Sequence, residues 1–334
     1  MRAVPILLLL PLAAAAQAPA TVTEWPVPWE QSRPRDPMVA PDGRVWFVGQ
    51  AGNYLAVLDP VSGRFRRYEI DPGTNPHNVI VARDGTPWYA GNRNGMIGRL
   101  DPATGAITRY PMPEADLTDP HTLTFDRAGN LWFTLQGSNA VGHLNATTGA
   151  IRIVRMPNPG SRPYGIVMDS KDRPWFVEFG ANRIGTIDPA SYTLREYTIP
   201  DPGARPRRLV VTPDDRIFAG DYARGKLVAL DPATGTFEEW QNPAGARSAP
   251  YAMAGDDRGR VWQVETGVQP NRLVAFDPRT RSFGTPIPIA ESGGIVVRHM
   301  TFDPRTRSLW FGTDAGTIGR AALGGPGAGA GATP

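Results

Sequence analysis

The chain has 334 residues, with 37 glycines, 35 prolines, no cysteine and a formal net charge of +3. The lack of cysteine excludes disulfide bonds and thiolate metal sites, and without a run of five basic residues the sequence gives nucleic-acid binding little support. No window of about 10 to 15 residues shows a helical period, whereas the many glycines and prolines are typical of short strands joined by tight turns. These features predict an all-β fold.

Residues 1–18 have the pattern of a signal peptide. Arg2 precedes the apolar segment VPILLLLPLAAAA, and the segment ends in a small-x-small cleavage site, Ala16-Gln17-Ala18. The apolar segment is shorter than the roughly 20 residues that a membrane-spanning helix needs. We therefore expect an exported protein, periplasmic or secreted, that is not inserted in the membrane after cleavage.

A repeat follows the signal peptide. An aromatic residue that opens a strand recurs seven times, at spacings of 42 to 48 residues, as Trp46, Trp88, Trp132, Trp175, Phe218, Trp262 and Trp310. Each copy has one strand before this residue, a third strand such as MIGRL or KLVAL, and a fourth after a turn such as DPATG at 101–105. Four short strands per repeat predict a β-propeller blade, so the sequence predicts seven blades.

The two ends of the repeat region indicate how the ring closes. The seventh copy stops after its third strand, TIGRAAL at 317–323, and VTEWPVP at 22–28 resembles the fourth strands LREYTIP and FEEWQNP. We expect the N-terminal strand to complete the last blade, which makes residues 19–323 one domain without open sheet edges. Residues 324–334, GGPGAGAGATP, are predicted to be a disordered tail.

The first strand of each blade should line the central channel, so the residue that begins it belongs to a ring. Eleven residues before each repeated aromatic residue stand Arg35, His77, His121, Tyr164, Arg207, Tyr251 and His299, which we call the first ring. All seven are polar or aromatic. For His77 and His121 a functional role and a solvent-lining role are both open, whereas the prolines before them are interpreted as loop terminators.

A second ring lies three residues after each repeated aromatic residue. Its acids come from three consecutive blades and are Glu178, Asp221 and Glu265. Because the histidines and Arg35 come from the other blades, we expect a bipolar funnel with imidazoles on one arc and carboxylates on the other. Converging carboxylates raise one another's pKa or bind a cation, and a solvated rim paired with Arg207 or Arg208 is the alternative.

Three segments resemble the repeat of the virginiamycin B lyase (streptogramin B lyase) family. They are PHTLTFDRAGNLWFT, RPYGIVMDSKDRPWFVEFGANRIGTIDP and MIGRLDPATGAITRYPMP, and the resemblance extends over about residues 24 to 323. It implies a seven-bladed propeller that opens a cyclic depsipeptide by elimination. In that family two acids and one histidine hold Mg²⁺, while a second histidine handles the proton.

The resemblance implies roles for three residues here. His77 and Asp119 would bind Mg²⁺, with Asp119 standing where the family has glutamate, and His121 would handle the proton. Leu135 occupies the fourth position and supplies no ligand. No organic cofactor is expected.

Two functions therefore stay open. The first is a metal-assisted lyase that acts on a cyclic ester or depsipeptide-like ligand in the funnel. The second is a non-catalytic binding, sensor or scaffold propeller of the cell envelope. A six-bladed lactonase is disfavoured by the seven repeats, and we expect a monomer that binds a small molecule.

Overall fold

The computed structural model of the protein describes residues 20–324. These residues form 29 β-strands and one short 3₁₀ helix, Gly245–Arg247. The predicted signal peptide, and the predicted tail after its first residue, lie outside the described residues. Within the described range no helix combines the length and apolarity needed to cross a membrane. The all-β prediction is confirmed.

The strands form seven antiparallel sheets, one for each predicted repeat. The N-terminal strand β1 (Thr21–Pro26) belongs to the last sheet. Blade 1 contains β2 (Pro34–Val39), β3 (Val45–Gly49), β4 (Tyr54–Asp59) and β5 (Arg64–Glu69). Blade 2 contains β6 (Pro76–Val81), β7 (Pro87–Gly91), β8 (Met96–Leu100) and β9 (Ile107–Pro111). Blade 3 contains β10 (Pro120–Phe125), β11 (Leu131–Leu135), β12 (Ala140–Leu144) and β13 (Ile151–Arg155).

The remaining blades follow the same order. Blade 4 contains β14 (Pro163–Met168), β15 (Pro174–Glu178), β16 (Arg183–Ile187) and β17 (Leu194–Thr198). Blade 5 contains β18 (Pro206–Val211), β19 (Ile217–Asp221), β20 (Lys226–Asp231) and β21 (Thr236–Gln241). Blade 6 contains β22 (Pro250–Gly255), β23 (Val261–Glu265) and β24 (Arg272–Asp277), which pairs with both β25 (Ser282–Phe283) and β26 (Ile287–Pro288). Blade 7 contains β27 (Val297–Asp303), β28 (Ser308–Thr313), β29 (Thr317–Ala322) and β1.

The first strands of neighbouring blades contact one another in a closed circle. Strand β2 contacts β6 and β27, and the remaining contacts run from β6 through β10, β14, β18 and β22 to β27. The N-terminal strand completes blade 7, because β1 pairs with β29 from Thr21 opposite Ala322 to Pro26 opposite Thr317. Both the seven-bladed fold and the predicted mode of closure are confirmed.

The repeated aromatic residues form the core between blades, as their spacing predicts. Trp46, Trp132 and Trp175 are completely buried. The glycine of the third strand is equally structural, since a Cβ at Gly142 would lie 2.1 Å from Cζ of Phe133. An aromatic ring on the second strand therefore packs directly on the backbone of the third, which explains the recurring pattern of IGR, VGH and IGT.

Each first strand has an irregular register where it enters the blade. In blade 3 the pairing moves from Pro120 opposite Leu135 to Leu123 opposite Phe133, and the same shift occurs in blade 4 between Pro163 and Ile166. The two residues between these pairs have no strand partner opposite them. The irregularity leaves the first-ring residue and its successor free to contact other blades.

Candidate functional site

First-ring residues from blades 2, 3, 4 and 6 form a continuous row of rings. The imidazoles of His77 and His121 lie against each other, with centroids 3.5 Å apart and planes at 34°. The ring of Tyr164 lies 4.2 Å from that of His121, and its hydroxyl hydrogen-bonds to the hydroxyl of Tyr251. These four residues are more than 40 positions apart along the chain, so the first-ring prediction correctly brings them together.

The prediction of His299 as a first-ring residue is wrong by one position. In blade 7, Val297 lies opposite Thr313, as Pro120 lies opposite Leu135 in blade 3, so Arg298 follows the strand-opening residue. The turn before Trp310 is one residue longer than in the other blades, and counting back from the aromatic residue misses the insertion. His299 instead occupies the next position, which is that of Thr122 in blade 3.

A hydrogen bond fixes the tautomer of His77. Its Nδ1 lies 3.1 Å from the backbone carbonyl oxygen of His121. A carbonyl oxygen can only accept, so Nδ1 carries the proton and Nε2 of the neutral ring keeps a free lone pair. Nε2 of His77 can therefore accept a proton but cannot donate a hydrogen bond.

His121 is connected to the opposite side of the ring through Thr122. Its Nδ1 lies 2.9 Å from Oγ1 of Thr122, and Nη1 of Arg208 donates to the same oxygen at 3.0 Å. Arg208 also contacts Asp36 at 3.4 Å, and Asn78 donates to that carboxylate at 3.0 Å. The residues one position after the first ring thus contact one another across the channel. We call this set the polar layer; it consists of Asp36, Asn78, Thr122 and Arg208.

Guanidinium groups dominate the charge of the site. Arg207 lies over four aromatic rings, with its Cζ 3.8 Å from the centroid of Tyr251 and 5.2 Å from that of Tyr164. Arg35 donates to Gln50 at 2.9 Å and lies 3.7 Å from the carboxylate of Asp36. The site therefore has more positive than negative charge, and Asp36 is the carboxylate that contacts both Arg35 and Arg208.

Burial and positive charge shift the pKa values of the site. Burial is the largest cause that moves the pKa of His77 and of His121 well below 6.5, and the nearby arginines act in the same direction. Both imidazoles are therefore neutral at pH 7. For Tyr164 burial opposes ionisation, yet Arg207, Arg35 and Arg208 together lower the pKa to about 8.

The carboxylates of blades 5 and 6 do not form the predicted arc opposite the histidines. Asp221 accepts hydrogen bonds from the side chain of Arg224 and, at 2.9 Å, from the backbone of Arg205. Glu265 accepts from Arg272 at 2.5 Å and from the backbone of Ala244 at 2.8 Å. Both are buried and hold the loops beside their own strands, so the bipolar funnel is corrected to a cationic one.

Glu178 is buried without such a partner. Neither of its carboxylate oxygens has a hydrogen bond within the described part of the chain, and the side chain is completely buried. Burial, followed by the nearby carboxylate of Glu196, raises the pKa of Glu178 to about 7. Glu178 therefore differs from Asp221 and Glu265, whose carboxylates accept hydrogen bonds from arginine side chains.

Asp119 holds a turn in blade 3. Its carboxylate accepts from the backbone of Gly137, from the backbone of Ser138 at 2.9 Å and from the hydroxyl of Ser138 at 2.5 Å. Leu135, at the fourth family position, is completely buried in an apolar cluster. Both carboxylate oxygens of Asp119 and the Nδ1 of His77 are thus already engaged.

This donor set does not fit Mg²⁺. The ion prefers oxygen ligands in near-octahedral geometry, and residues 20–324 contain no cluster of three or more histidine, aspartate or glutamate side chains suited to a metal. Guanidinium groups beside the histidines would also repel a divalent cation. Mg²⁺ binding by His77 and Asp119 stays an untested prediction, and the chemistry proposed for the site needs no metal ion.

The fold and the site define a seven-bladed propeller with a cationic centre lined by histidine and tyrosine. The chain belongs to the virginiamycin B lyase family, whose family model matches residues 13–273. Comparison with curated proteins gives no match.

Solved structures agree with this family. The chain is 26% identical to a streptogramin B lyase, with a TM-score of 0.83 over 92% of this chain and 99% of that one. It is 24% identical to a catalytically inactive virginiamycin B lyase from Staphylococcus aureus with quinupristin, with a TM-score of 0.82 over 91% and 99%. The extracellular domain of BT4673 from B. thetaiotaomicron has the same fold, at 16% identity and a TM-score of 0.70 over 91% and 43%.

Sequence reasoning missed the contacts that connect the blades across the channel. Asp36, Thr122 and Arg208 each stand two positions after the strand-opening proline, and the repeat does show this position. Their importance depends on the irregular register that turns both neighbouring residues toward other blades. Arg298 was also missed, although its ion pair with Asp314, at 3.0 Å from Nε, places it beside the ring.

Proposed function

We propose that the protein is an exported lyase that opens an ester by elimination in the centre of the propeller. The observation that carries this proposal is the pair of neutral imidazoles of His77 and His121, which lie in contact next to guanidinium groups with free hydrogen-bonding capacity. Nε of Arg207 and Nε of Arg35 have no hydrogen-bond partner within residues 20–324. A base beside unsatisfied cationic donors suits proton abstraction next to a carbonyl group.

The proposed reaction is balanced without an oxidant or a water molecule. In the substrate, the carbon that bears the alkyl oxygen of the ester adjoins a carbon that carries a second carbonyl group, such as an amide. The base takes the proton from the carbon next to this second carbonyl group, and the electron pair of that C–H bond forms the new C=C bond. The bond between the neighbouring carbon and the ester oxygen breaks, and its electron pair leaves with the carboxylate. A cyclic ester is thereby opened to an unsaturated acid of the same mass.

The proton acceptor is Nε2 of a neutral imidazole. His77 is held in the required tautomer by the carbonyl oxygen of His121. His121 reaches the same state when its Nδ1–H donates to Thr122, whose hydroxyl oxygen has a second lone pair for Arg208. Low pKa values keep both rings unprotonated at neutral pH, so the whole population of the protein is ready to accept a proton.

Negative charge develops on the carbonyl oxygen as the proton leaves. Arg207 and Arg35 are cationic donors at the row of rings with an unpaired Nε, and preorganised donors of this kind are worth about 3 to 4 kcal/mol each in the transition state. The hydroxyl of Tyr164, with its pKa lowered to about 8, is a further strong donor to the same oxygen. The cationic centre also favours a substrate that carries a carboxylate.

Access requires a movement of Arg207. His77 and His121 are only 4% and 2% exposed, whereas Arg207 is partly exposed and lies over the rings of Phe179 and Tyr222 as well as Tyr251. Its contacts are cation–π interactions worth about 0.5 to 2 kcal/mol each, so a bound anion can compete for the guanidinium group. Arg207 would then act both as cover and as substrate ligand.

The test is an elimination assay with the purified protein. Cyclic depsipeptides, and lactones that carry a second carbonyl group on the carbon next to the one bonded to the alkyl oxygen, are incubated with it, each with and without a free carboxylate. Products are followed by ultraviolet absorbance and mass spectrometry. Elimination gives a conjugated double bond and a ring-opened product of unchanged mass, whereas hydrolysis adds one water. Hydrolysis products alone, or turnover that persists after both histidines are replaced, would refute the proposal.

A non-catalytic binding propeller is the second candidate. It is favoured by the burial of the histidines and by the engagement of His77 with a backbone carbonyl group. This function predicts saturable binding of the carboxylate substrates without any product after prolonged incubation. The same assay, followed by calorimetry on the unreacted mixtures, separates the two functions.

Export is proposed from the N-terminal sequence. The pattern of residues 1–18 carries it, and the extracellular domain found among the similar folds is consistent with it. N-terminal sequencing of the protein recovered from a bacterial envelope fraction should give a first residue near Pro19. Recovery of the uncleaved chain from the cytoplasm would contradict export.

A further inference from the structure

The central channel contains a large cavity on the side of the polar layer away from the first ring. Its volume is about 820 Å³, within the range of about 300 to 1,000 Å³ that small-molecule sites occupy. The first strands of the blades line it through their residues after the irregular register, such as Leu123, Ile166 and Met300. The cavity is therefore separate from the row of histidines and tyrosines.

The walls of this cavity are apolar and adaptable. Four methionines line it, together with aliphatic and aromatic side chains: Met38, Met168, Met253 and Met300. Methionine is flexible and polarisable, and surfaces rich in it accommodate apolar ligands of varied shape. An apolar chain is thus the best match for the walls.

One end of the cavity carries positive charge. Arg208, from the polar layer, lines the cavity and is only 3% exposed, yet its Nε has no hydrogen-bond partner within residues 20–324. His299 lines the same end, and its buried Nδ1 also has no partner in the described part of the chain. Unsatisfied buried donors are costly, which indicates that this end is built for an acceptor.

Charge compensation at this end is incomplete. Asp36 is the carboxylate that contacts Arg208, and it is shared with Arg35, which lies 3.7 Å from its other oxygen. One carboxylate therefore faces two guanidinium groups. The imidazole of His299, with its pKa lowered to about 4 chiefly by burial, adds a neutral donor or acceptor.

The outer rim of the cavity is polar but already satisfied. Asp215 accepts from the backbone of Ser170 at 2.9 Å and from its hydroxyl at 2.5 Å. Asp256 accepts from Trp262 at 2.8 Å. The free hydrogen-bonding capacity described above thus lies at the inner end.

We propose that this cavity binds an amphipathic carboxylate, with its head group on Arg208 and its apolar chain along the methionine-lined walls. The orientation follows from the positive inner end, the apolar walls and the satisfied rim. The proposal does not depend on the elimination activity, because the cavity lies on the other side of the polar layer from His77 and His121. Binding here would reach His121 only through Thr122, which contacts Arg208 and His121.

The test is calorimetry on the purified protein with three probes that share one chain and differ in the head group. Dodecanoate and dodecyltrimethylammonium are titrated below their critical micelle concentrations, and dodecanol below its solubility limit. We expect one saturable dodecanoate site, with dodecanol about tenfold weaker or more and no binding of the cationic probe, because a charge-assisted hydrogen bond is lost. Equal binding of all three, or no saturable binding of dodecanoate, would overturn the proposal.

Two variants locate the bound probe. Arg208→Met should weaken dodecanoate binding about tenfold or more and leave dodecanol unchanged, whereas Arg93→Met, at an exposed position, should change neither. Thr124→Phe fills the cavity from a partly exposed wall position and should abolish binding of both probes, while Thr108→Phe on the outer strand β9 should not. Thermal melts establish that each variant is folded, and undiminished binding by folded Thr124→Phe would place the probe elsewhere and overturn the proposal.

Discussion

The first strands of all blades and the second strands of blades 4 to 7 carry polar residues near the same end of the propeller, yet these residues make different contacts. On the first strand His121 contacts His77 and Tyr164, and its neighbour Thr122 contacts Arg208 of blade 5. On the second strand Asp221 and Glu265 contact arginines within their own blades. The innermost strands thus bring side chains of non-adjacent blades together across the channel.

The comparison shows how a propeller separates function from structure. Side chains on the innermost strands converge on the axis, so their charges and hydrogen bonds are shared among blades and shift one another's pKa. One strand further out, Asp221 and Glu265 pair with arginines of their own blades. An acidic residue on a first strand, such as Asp36, can thus contact another blade, whereas Asp221 and Glu265 on second strands pair within their own blades.

Replacement of the histidines should have the largest effect. His77→Gln should lower the elimination rate about 10²- to 10⁴-fold, because the base with the fixed tautomer is removed. His121→Gln should cause a loss in the same range, since it removes the imidazole that was predicted to handle the proton. Steady-state kinetics measure both losses.

His143→Gln is the matched control. His143 lies against Trp132 and contacts the hydroxyl of Tyr192 at 2.6 Å, away from the first ring. Its replacement should leave the rate unchanged. If His77→Gln and His143→Gln had equal rates, the first ring would not be the site of proton transfer.

Removal of a paired second-ring carboxylate should affect stability instead. Glu265→Gln leaves Arg272 without its buried charged partner and should lower the free energy of unfolding by about 3 to 5 kcal/mol. The rate per folded molecule should stay the same. Denaturant unfolding and kinetics measure the two quantities, and a fall in the rate without a loss of stability would place Glu265 in the site.

Replacement of Glu178, the second-ring carboxylate without a hydrogen-bond partner among residues 20–324, should raise the stability of the protein instead of lowering it. The pKa of Glu178 in the folded protein, about 7, lies above its ordinary value of 4.5, so the folded state binds more protons between these pH values. Stability of the wild type should therefore fall as the pH rises through this window. Glu178→Gln should be more stable above about pH 7 by about 3 kcal/mol, and this advantage should vanish below about pH 4.5. Melting curves of both proteins across this pH range provide the check, and a constant difference would show that Glu178 does not titrate there.

The smallest effect is expected for Asp119. Asp119→Asn weakens hydrogen bonds to Gly137 and Ser138 and should cost about 1 to 2 kcal/mol of stability. Calorimetric titration with Mg²⁺ tests the metal prediction on the same pair of proteins. The engaged carboxylate predicts no saturable heat, whereas saturable binding that disappears in Asp119→Asn would support a metal site at His77 and Asp119.

Local patterns made the fold predictable. Trp132 and its equivalents mark each blade. Because a blade needs four strands, the resemblance of residues 22–28 to the fourth strands predicts that the N-terminal strand closes the ring. The first ring followed from the same spacing. Counting failed only at His299, where one additional residue in the turn before Trp310 moves the register.

The partners of the charged residues were not predictable from the spacing. Whether a carboxylate enters the funnel depends on residues such as Arg224 in a loop and Arg272 at the start of β24, which approach Asp221 and Glu265 only in the folded chain. The contact between Arg208 and Asp36 joins residues 172 positions apart. Such contacts require the ring geometry and the irregular register together, and neither can be read from one repeat.

The account depends most directly on the state of the two imidazoles in contact. Long-range ¹H–¹⁵N correlation spectra of the histidine-labelled protein distinguish the two neutral tautomers from the charged ring. At about pH 6, slightly below the ordinary histidine pKa, we predict that His77 is neutral with its proton on Nδ1 and that His121 is also neutral. A positively charged His77, or a proton on its Nε2, would contradict the proposed base.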